Sequence, residues 1–155
     1  MKVFTVRKET EDLIDESKDR TSYIKLNEKE KFNYIIIKNP SNSNEICTIK
    51  TIKISIEDKD NELRLMHGEE ELFRGLEDSK CTNKAGIFNI ETKMQTHRDN
   101  KKVELERKKL LQNEECDILK DYALIMLPKG CLFIRLSDEV SRLNISINWT
   151  SEKIY

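Results

Sequence analysis

Two histidines, His67 and His97, and four cysteines, Cys47, Cys81, Cys116 and Cys131, are the groups best suited to chemistry near neutral pH. A Cys–His pair would supply a nucleophile and its base, and the six residues together would supply nitrogen and sulfur ligands for zinc. The spacing supports neither use. No Cys-x-x-Cys pair occurs, and the cysteines read as reduced thiols, mostly in the core. His97 lies in Thr96-His-Arg-Asp-Asn100 and His67 precedes Gly68, so both read as solvated loop residues. Glu69-Glu70-Glu71 offers paired carboxylates, but with 29 acids such pairs arise by chance.

Phosphate and hydrolase motifs are missing as well. There is no Gly-x-x-x-x-Gly-Lys loop, Gly-x-Gly-x-x-Gly turn, His-Glu-x-x-His helix or Gly-x-Ser-x-Gly elbow. Four glycines in the whole chain cannot build a glycine-rich cradle. These absences point away from an enzyme and from any cofactor or small-molecule substrate.

The elements that must carry the remaining side chains are strands. At 155 residues the chain suits one domain, 1–155. Only Ala85 and Ala123 are alanine, while isoleucine is abundant, which favours strand over helix. No apolar run is long enough for a membrane helix, and Met1 to Thr10 carries no signal-type apolar core, so the expected location is cytoplasmic, away from membranes. The sequons at Asn144 and Asn148 are then coincidental.

Periodicity gives strand candidates at Lys2 to Val6, Tyr23 to Leu26, Phe32 to Lys38, Ile46 to Ile56, Asn61 to Met66, Glu71 to Arg74, Ile87 to Met94, Val103 to Leu111, Tyr122 to Leu127, Cys131 to Leu136 and Leu143 to Trp149. Asn27 to Lys31 reads as a polar turn, and Leu76 to Ala85 as a polar connection. Ile35-Ile36-Ile37 would be covered on both faces in a central strand. The phase change between Ile49 and Ile52 predicts a bulge near Lys50.

Asn39 to Asn44 is the clearest loop. Pro128-Lys-Gly130 reads as the turn of a hairpin joining its flanking strands. Asn113 is placed to cap a short helix through Lys120, and a helix through Leu110-Leu111 competes with the strand reading there. The fold class expected is all-β, an antiparallel β-sandwich of about ten strands with room for one short helix; an α+β domain is second.

Charge is unevenly spread. An acidic loop or arm, 8–22, contains six acids and one lysine between Glu9 and Asp19. A basic hairpin, 93–111, nets plus four between Lys93 and Lys109. Its Arg98, Lys101, Lys102, Arg107, Lys108 and Lys109 could contact phosphates. Equally, its alternating Lys and Glu could guard a sheet edge against aggregation. The segment holds no aromatic residues, so base stacking is not indicated there. Trp149, Tyr23 and Tyr34 read as packing residues.

Tyr23-Ile-Lys-Leu-Asn-Glu-Lys-Glu-Lys-Phe-Asn-Tyr-Ile-Ile-Ile37 resembles a segment of a small eukaryotic all-β family, to which the microsporidian ribosome dormancy factor belongs. Cys131 to Asp138 and Leu143 to Trp149 are more weakly similar to its last strands. The Lys/Asn/Ile bias suits an A+T-rich genome such as a microsporidian one. The resemblance implies a ribosome hibernation factor that binds idle ribosomes near the exit-tRNA site of the small subunit and blocks translation sterically. The basic hairpin would then meet rRNA, and Glu9, Glu11, Asp12, Asp15 and Glu16 would meet a basic ribosomal protein. A cytosolic adaptor for protein–protein interaction, without nucleic acid, is the alternative, and a carboxylate hydrolase is third. No long apolar seam demands a dimer, so a monomer is expected.

Overall fold

A computed structural model describes residues 2–8, 18–69, 83–95 and 102–154. The described residues form ten strands and no helix: β1 (Val3–Arg7), β2 (Arg20–Lys38), β3 (Glu45–Ile56), β4 (Asn61–Glu69), β5 (Asn83–Ala85), β6 (Phe88–Lys93), β7 (Val103–Leu110), β8 (Glu115–Asp117), β9 (Tyr122–Met126) and β10 (Gly130–Lys153). All pairings are antiparallel and the sheet stays open. The expected all-β sandwich is the observed fold.

Two long strands serve both layers. The first half of β10, from Gly130 to Leu136, lies between the second half of β2 and β4, and the layer continues as β7-β4-β10-β2-β6-β5. From Leu143 onward β10 lies between the first half of β2 and β3, with β9 and β1 beyond one end of β3 and β8 beside the other. Register shifts between Arg135 and Val140, and again before Arg142, mark the crossing. Bulges bend a strand without ending it. Asn61 pins this bend from both sides, donating to the Asp138 carbonyl at 2.9 Å and accepting from the Asp138 amide at 3.1 Å. Asp58 accepts from the Ser141 amide at 2.9 Å.

Inward-facing residues fill the space between the layers. Ile52, Ile54 and Ile56 of β3 face Leu143, Ile145 and Ile147 of β10, and Leu63, Leu65, Leu132 and Ile134 come from the other layer. Trp149 joins this core edge-on to Phe88, with ring centroids 5.2 Å apart, and donates to Ser22 Oγ at 2.9 Å. Ile35, Ile36 and Ile37 are all fully buried: Ile36 joins Tyr34, Met66, Cys131 and Phe133 in a second cluster on the outer face of the layer. The bulge falls at Lys50, where the register moves from Asn148↔Thr51 to Trp149↔Ile49. The 39–44 loop closes through Asn39, whose side-chain amide donates to the carbonyls of Glu45 (2.9 Å) and Met126 (3.1 Å).

Several expectations are corrected. Asn27 to Lys31 is not a turn: β2 runs through it, because β10 bends in step beside it. Residues 93–111 do not form a hairpin. β6 pairs with β2 and β5, whereas β7 pairs with β4. Pro128 to Gly130 does turn the chain, with the Gly130 amide on the Leu127 carbonyl at 2.9 Å, but β9 pairs with β1 and β3. The turn thus carries the chain from one layer to the other.

Asn113 caps no helix. It sits at φ 62°, donates its amide to the Ile56 carbonyl, and leads into β8. The alternating pattern of Val103 to Leu110 is strand, so the helical rival there fails. Asn83 to Ala85, expected as connection, is a strand hairpinned to β6 through Gly86-Ile87. β4 continues through His67-Gly68, and Glu71 to Arg74 lies outside the described residues. Of the 8–22 segment, 9–17 lie outside them too, while Arg20 to Ser22 already belong to β2.

Candidate nucleic-acid interface

The register of five strands sets one line of side chains across the outer face of the layer that contains β7. Lys93 of β6 pairs with Tyr34 of β2, Tyr34 with Arg135 of β10, Arg135 with Arg64 of β4, and Arg64 with Arg107 of β7. Directly opposed residues in an antiparallel sheet project to the same side. Four cations and one phenol therefore stand in a row.

Arg64 and Arg135 occupy strand positions whose neighbours along the chain turn inward. Arg64 sits between Leu63 and Leu65, and Arg135 between Ile134 and Leu136, all four of them core residues. The hydrophobic demand of the core thus fixes these two cations outward.

Lys102 adds a fifth cation. Its ammonium lies 4.8 Å from the ring centroids of both Tyr34 and Phe133 and donates to the Tyr34 hydroxyl. The aromatic faces attract the charge, which holds this lysine down on the sheet rather than out in solvent.

Carboxylates temper the row. Glu104 Oε1 accepts from Arg64 Nε at 2.6 Å and from Arg107 Nε at 3.0 Å. The hydrogen bond from Arg64, helped by Arg107, holds the Glu104 carboxyl below its ordinary range. Glu91 lies 3.9 Å from Lys93. Among the described residues, two carboxylates, Glu104 and Glu91, stand against these five cations. Arg107, the outermost, is 59% exposed.

No family model matches the chain, no curated protein matches it, and no solved structure matches it.

The expected rRNA-binding set is divided by strand geometry. Arg107 and Lys109 point outward on β7, the latter opposite Glu62. Lys108 faces the other way, opposite core Leu63, is 15% exposed, and lies 3.7 Å from Glu106. Lys102 joins the row from the segment before β7. Arg98 and Lys101 lie outside the described residues, as do Glu9, Glu11, Asp12, Asp15 and Glu16. Arg64 and Arg135 are not among the residues expected from sequence. Their only local signal is a single cation at an outward position of an otherwise apolar strand.

The chemically suited residues within the described segments, Cys47, His67, Cys116 and Cys131, sit in four different strands. His67 lies within β4 opposite Leu132, and burial lowers its pKa, so the expectation of a solvated loop histidine is overturned. Cys47 and Cys131 are buried free thiols, and Cys116 is half-buried and free. Burial, reinforced by Glu45, pushes the Cys47 thiol up to about 12, and burial raises that of Cys116. Neither is a primed thiolate. Among the described residues no three His, Cys, Asp or Glu side chains converge as a metal site; His97 and Cys81 lie outside them. Among the described residues, no helix is long and apolar enough to cross a membrane.

Proposed function

We propose that this protein is a non-enzymatic ribosome-binding factor that holds idle ribosomes inactive, docking on rRNA through the Lys93–Arg135–Arg64–Arg107 face. The observation that carries the reading is the alignment of these cations, with Lys102, on one rigid sheet face. Guanidinium groups fixed on a sheet meet backbone phosphates through forked hydrogen bonds without first having to be ordered. The site needs no general acid, nucleophile or metal, because steric occupation of a tRNA site is enough to stop translation. The near-neutral whole chain limits attraction to this face, which favours docking at one place over coating of RNA. The resemblance of Tyr23 to Ile37 to the dormancy-factor family supplies the ribosome as the RNA.

Sedimentation of source-cell lysate through a sucrose gradient tests the reading. The protein is expected with monosomes, moving to the top of the gradient in high salt. Charge reversal at Arg107 and Lys109 together should weaken the association and flatten its salt dependence by about two units of slope, one for each phosphate no longer neutralised. Migration only at the top of the gradient at low salt would overturn it, and a partner retained after nuclease treatment would put the adaptor in its place.

A further inference from the structure

The other layer carries a second polar face, built around the most exposed large hydrophobic side chain among the described residues. Tyr23 is 76% exposed although it sits within β2 with a paired strand beside it. Its cross-strand partner is Ser146 of β10, which in turn pairs with Lys53 of β3. The adjoining row is Lys25, Asn144, Ser55, and the row on the other side is Thr21, Asn148, Thr51. An open groove of about 440 Å³ runs over the first two of these rows.

Two cations border the ring and a third lies farther along the same face. Lys25 is two residues along β2 from Tyr23, about 7 Å by strand rise, and Lys53 is two strands across, about 10 Å away. Arg142 lies on the same face of β10, opposite Asn27 and next to Asn144 in the outward alternation, and is exposed. Neither Lys25 nor Arg142 forms an ion pair with a described residue. Glu115 lies 3.7 Å from Lys53 and Asp117 pairs with Lys53 in register, at the β8 margin, while Asp58 meets the Ser141 amide beside Arg142. The half of the groove beside Tyr23 is left positive.

We propose that this face binds an unpaired segment of single-stranded RNA, one base stacking on Tyr23 and the flanking phosphates resting on Lys25, Lys53 and Arg142. A flat aromatic ring on a sheet, with cations at roughly the base-to-phosphate spacing, is what sequence-tolerant single-strand binding requires. The Asn144 amide and Ser146 hydroxyl line the groove and offer hydrogen bonds to base edges. A neutral glycan would use the ring and amide equally well, but it would gain nothing from the cations on this face. The proposal concerns the layer opposite the Arg64–Arg107 row and does not depend on ribosome binding.

The test is fluorescence anisotropy of the full chain with labelled eight-nucleotide oligouridylate and oligoadenylate. Tyr23→Ala should weaken binding on the order of ten-fold, whereas Tyr23→Phe should stay within about two-fold because the stacking face is kept. Lys25→Glu should flatten the salt dependence by about 0.7 units of slope. The loss on Tyr23→Ala should persist in an Arg107→Glu background, which separates this site from the other layer. Thermal unfolding should be unaltered in Tyr23→Ala, whose ring is already in solvent. Wild-type affinity in Tyr23→Ala, equal competition by duplex RNA, or no binding at 100-fold excess of protein over probe would overturn the proposal. So would Tyr23-dependent binding of a neutral oligosaccharide in place of RNA.

Discussion

The Tyr122 hydroxyl donates to Glu106 at 3.0 Å, joining β9 of one layer to β7 of the other. Lys108 lies 3.7 Å from the same carboxylate. Burial first, and the bond to Glu106 second, hold the Tyr122 phenol above its ordinary range. Removing that hydroxyl leaves a half-buried carboxylate with one fewer donor. Tyr122→Phe should therefore cost about 1 kcal/mol, read by urea unfolding followed at Trp149. An unchanged midpoint would show that the contact contributes nothing.

Alkaline pH should destabilise the fold through the same physics. The folded state keeps Cys47 protonated up to about 12, against an ordinary value of 9.0. A raised folded pKa means that this contribution is fully present below pH 9 and is lost as pH rises toward 12. Tyr122, also raised, adds to the loss above its unfolded value near pH 10. Unfolding midpoints measured at pH 8, 9.5 and 10.5 should fall, and the fall should be shallower in Cys47→Ala, whatever that variant's stability at pH 8.

Gly86 turns the β5–β6 hairpin at φ 59°, where a side chain is strained by itself. A Cβ added there would stand 2.5 Å from Ser22 Oγ and 2.8 Å from Trp149 Cζ2. Gly86→Ala should destabilise by about 2 kcal/mol, from positive φ and overpacking together. Because the clash falls on the indole, the Trp149 emission of the folded variant should shift as well. A folded variant with wild-type emission and midpoint would contradict the hairpin geometry.

Glu104 restrains the cationic row by accepting from both Arg64 and Arg107. Glu104→Gln removes one negative charge without shortening the side chain. If the row meets phosphates, the variant should bind RNA several-fold more tightly at low salt, with a steeper salt dependence. Equal or weaker binding by filter retention would mean that Glu104 orders the guanidiniums more than it neutralises them.

Lys50 and Asp19 meet at 2.7 Å with side chains only 11% and 16% exposed, tying the β3 bulge to the residue just before β2. Asp19→Asn should cost on the order of 1–3 kcal/mol, between the values for exposed and buried pairs. Asp138→Asn, at the exposed pair with Lys59, should cost less than half as much. Equal losses in thermal melts would show that burial at Lys50 does not strengthen the pair.

What the sequence discloses here follows from range. The Leu143 to Trp149 alternation and the Lys50 phase change are local consequences of one buried face, and both are observed. Asn27 to Lys31 and Ser137 to Glu139 look like turns because their residues are polar, yet each stays in strand by pairing with chain a hundred residues away or by docking on Asn61. The 93–111 hairpin fails for the same reason: β7 finds β4, forty residues back, and not its neighbour β6. The cationic row is a product of four registers across five strands, so no single segment announces it. Half of it, Arg64 and Arg135, lies in strands that read simply as apolar.

The shared strand β10 is the last of the ten in chain order, yet it is the partner of β2, β3 and β4 at once. A nascent chain emerging from the peptide tunnel therefore exposes the unpaired flanks of three long strands before the segment that covers them exists. Neither layer can close until β10 itself has emerged. Those flanks are open to mispairing during that interval, and this sets a premium on the charged residues scattered along them, which keep neighbouring copies from pairing edge to edge.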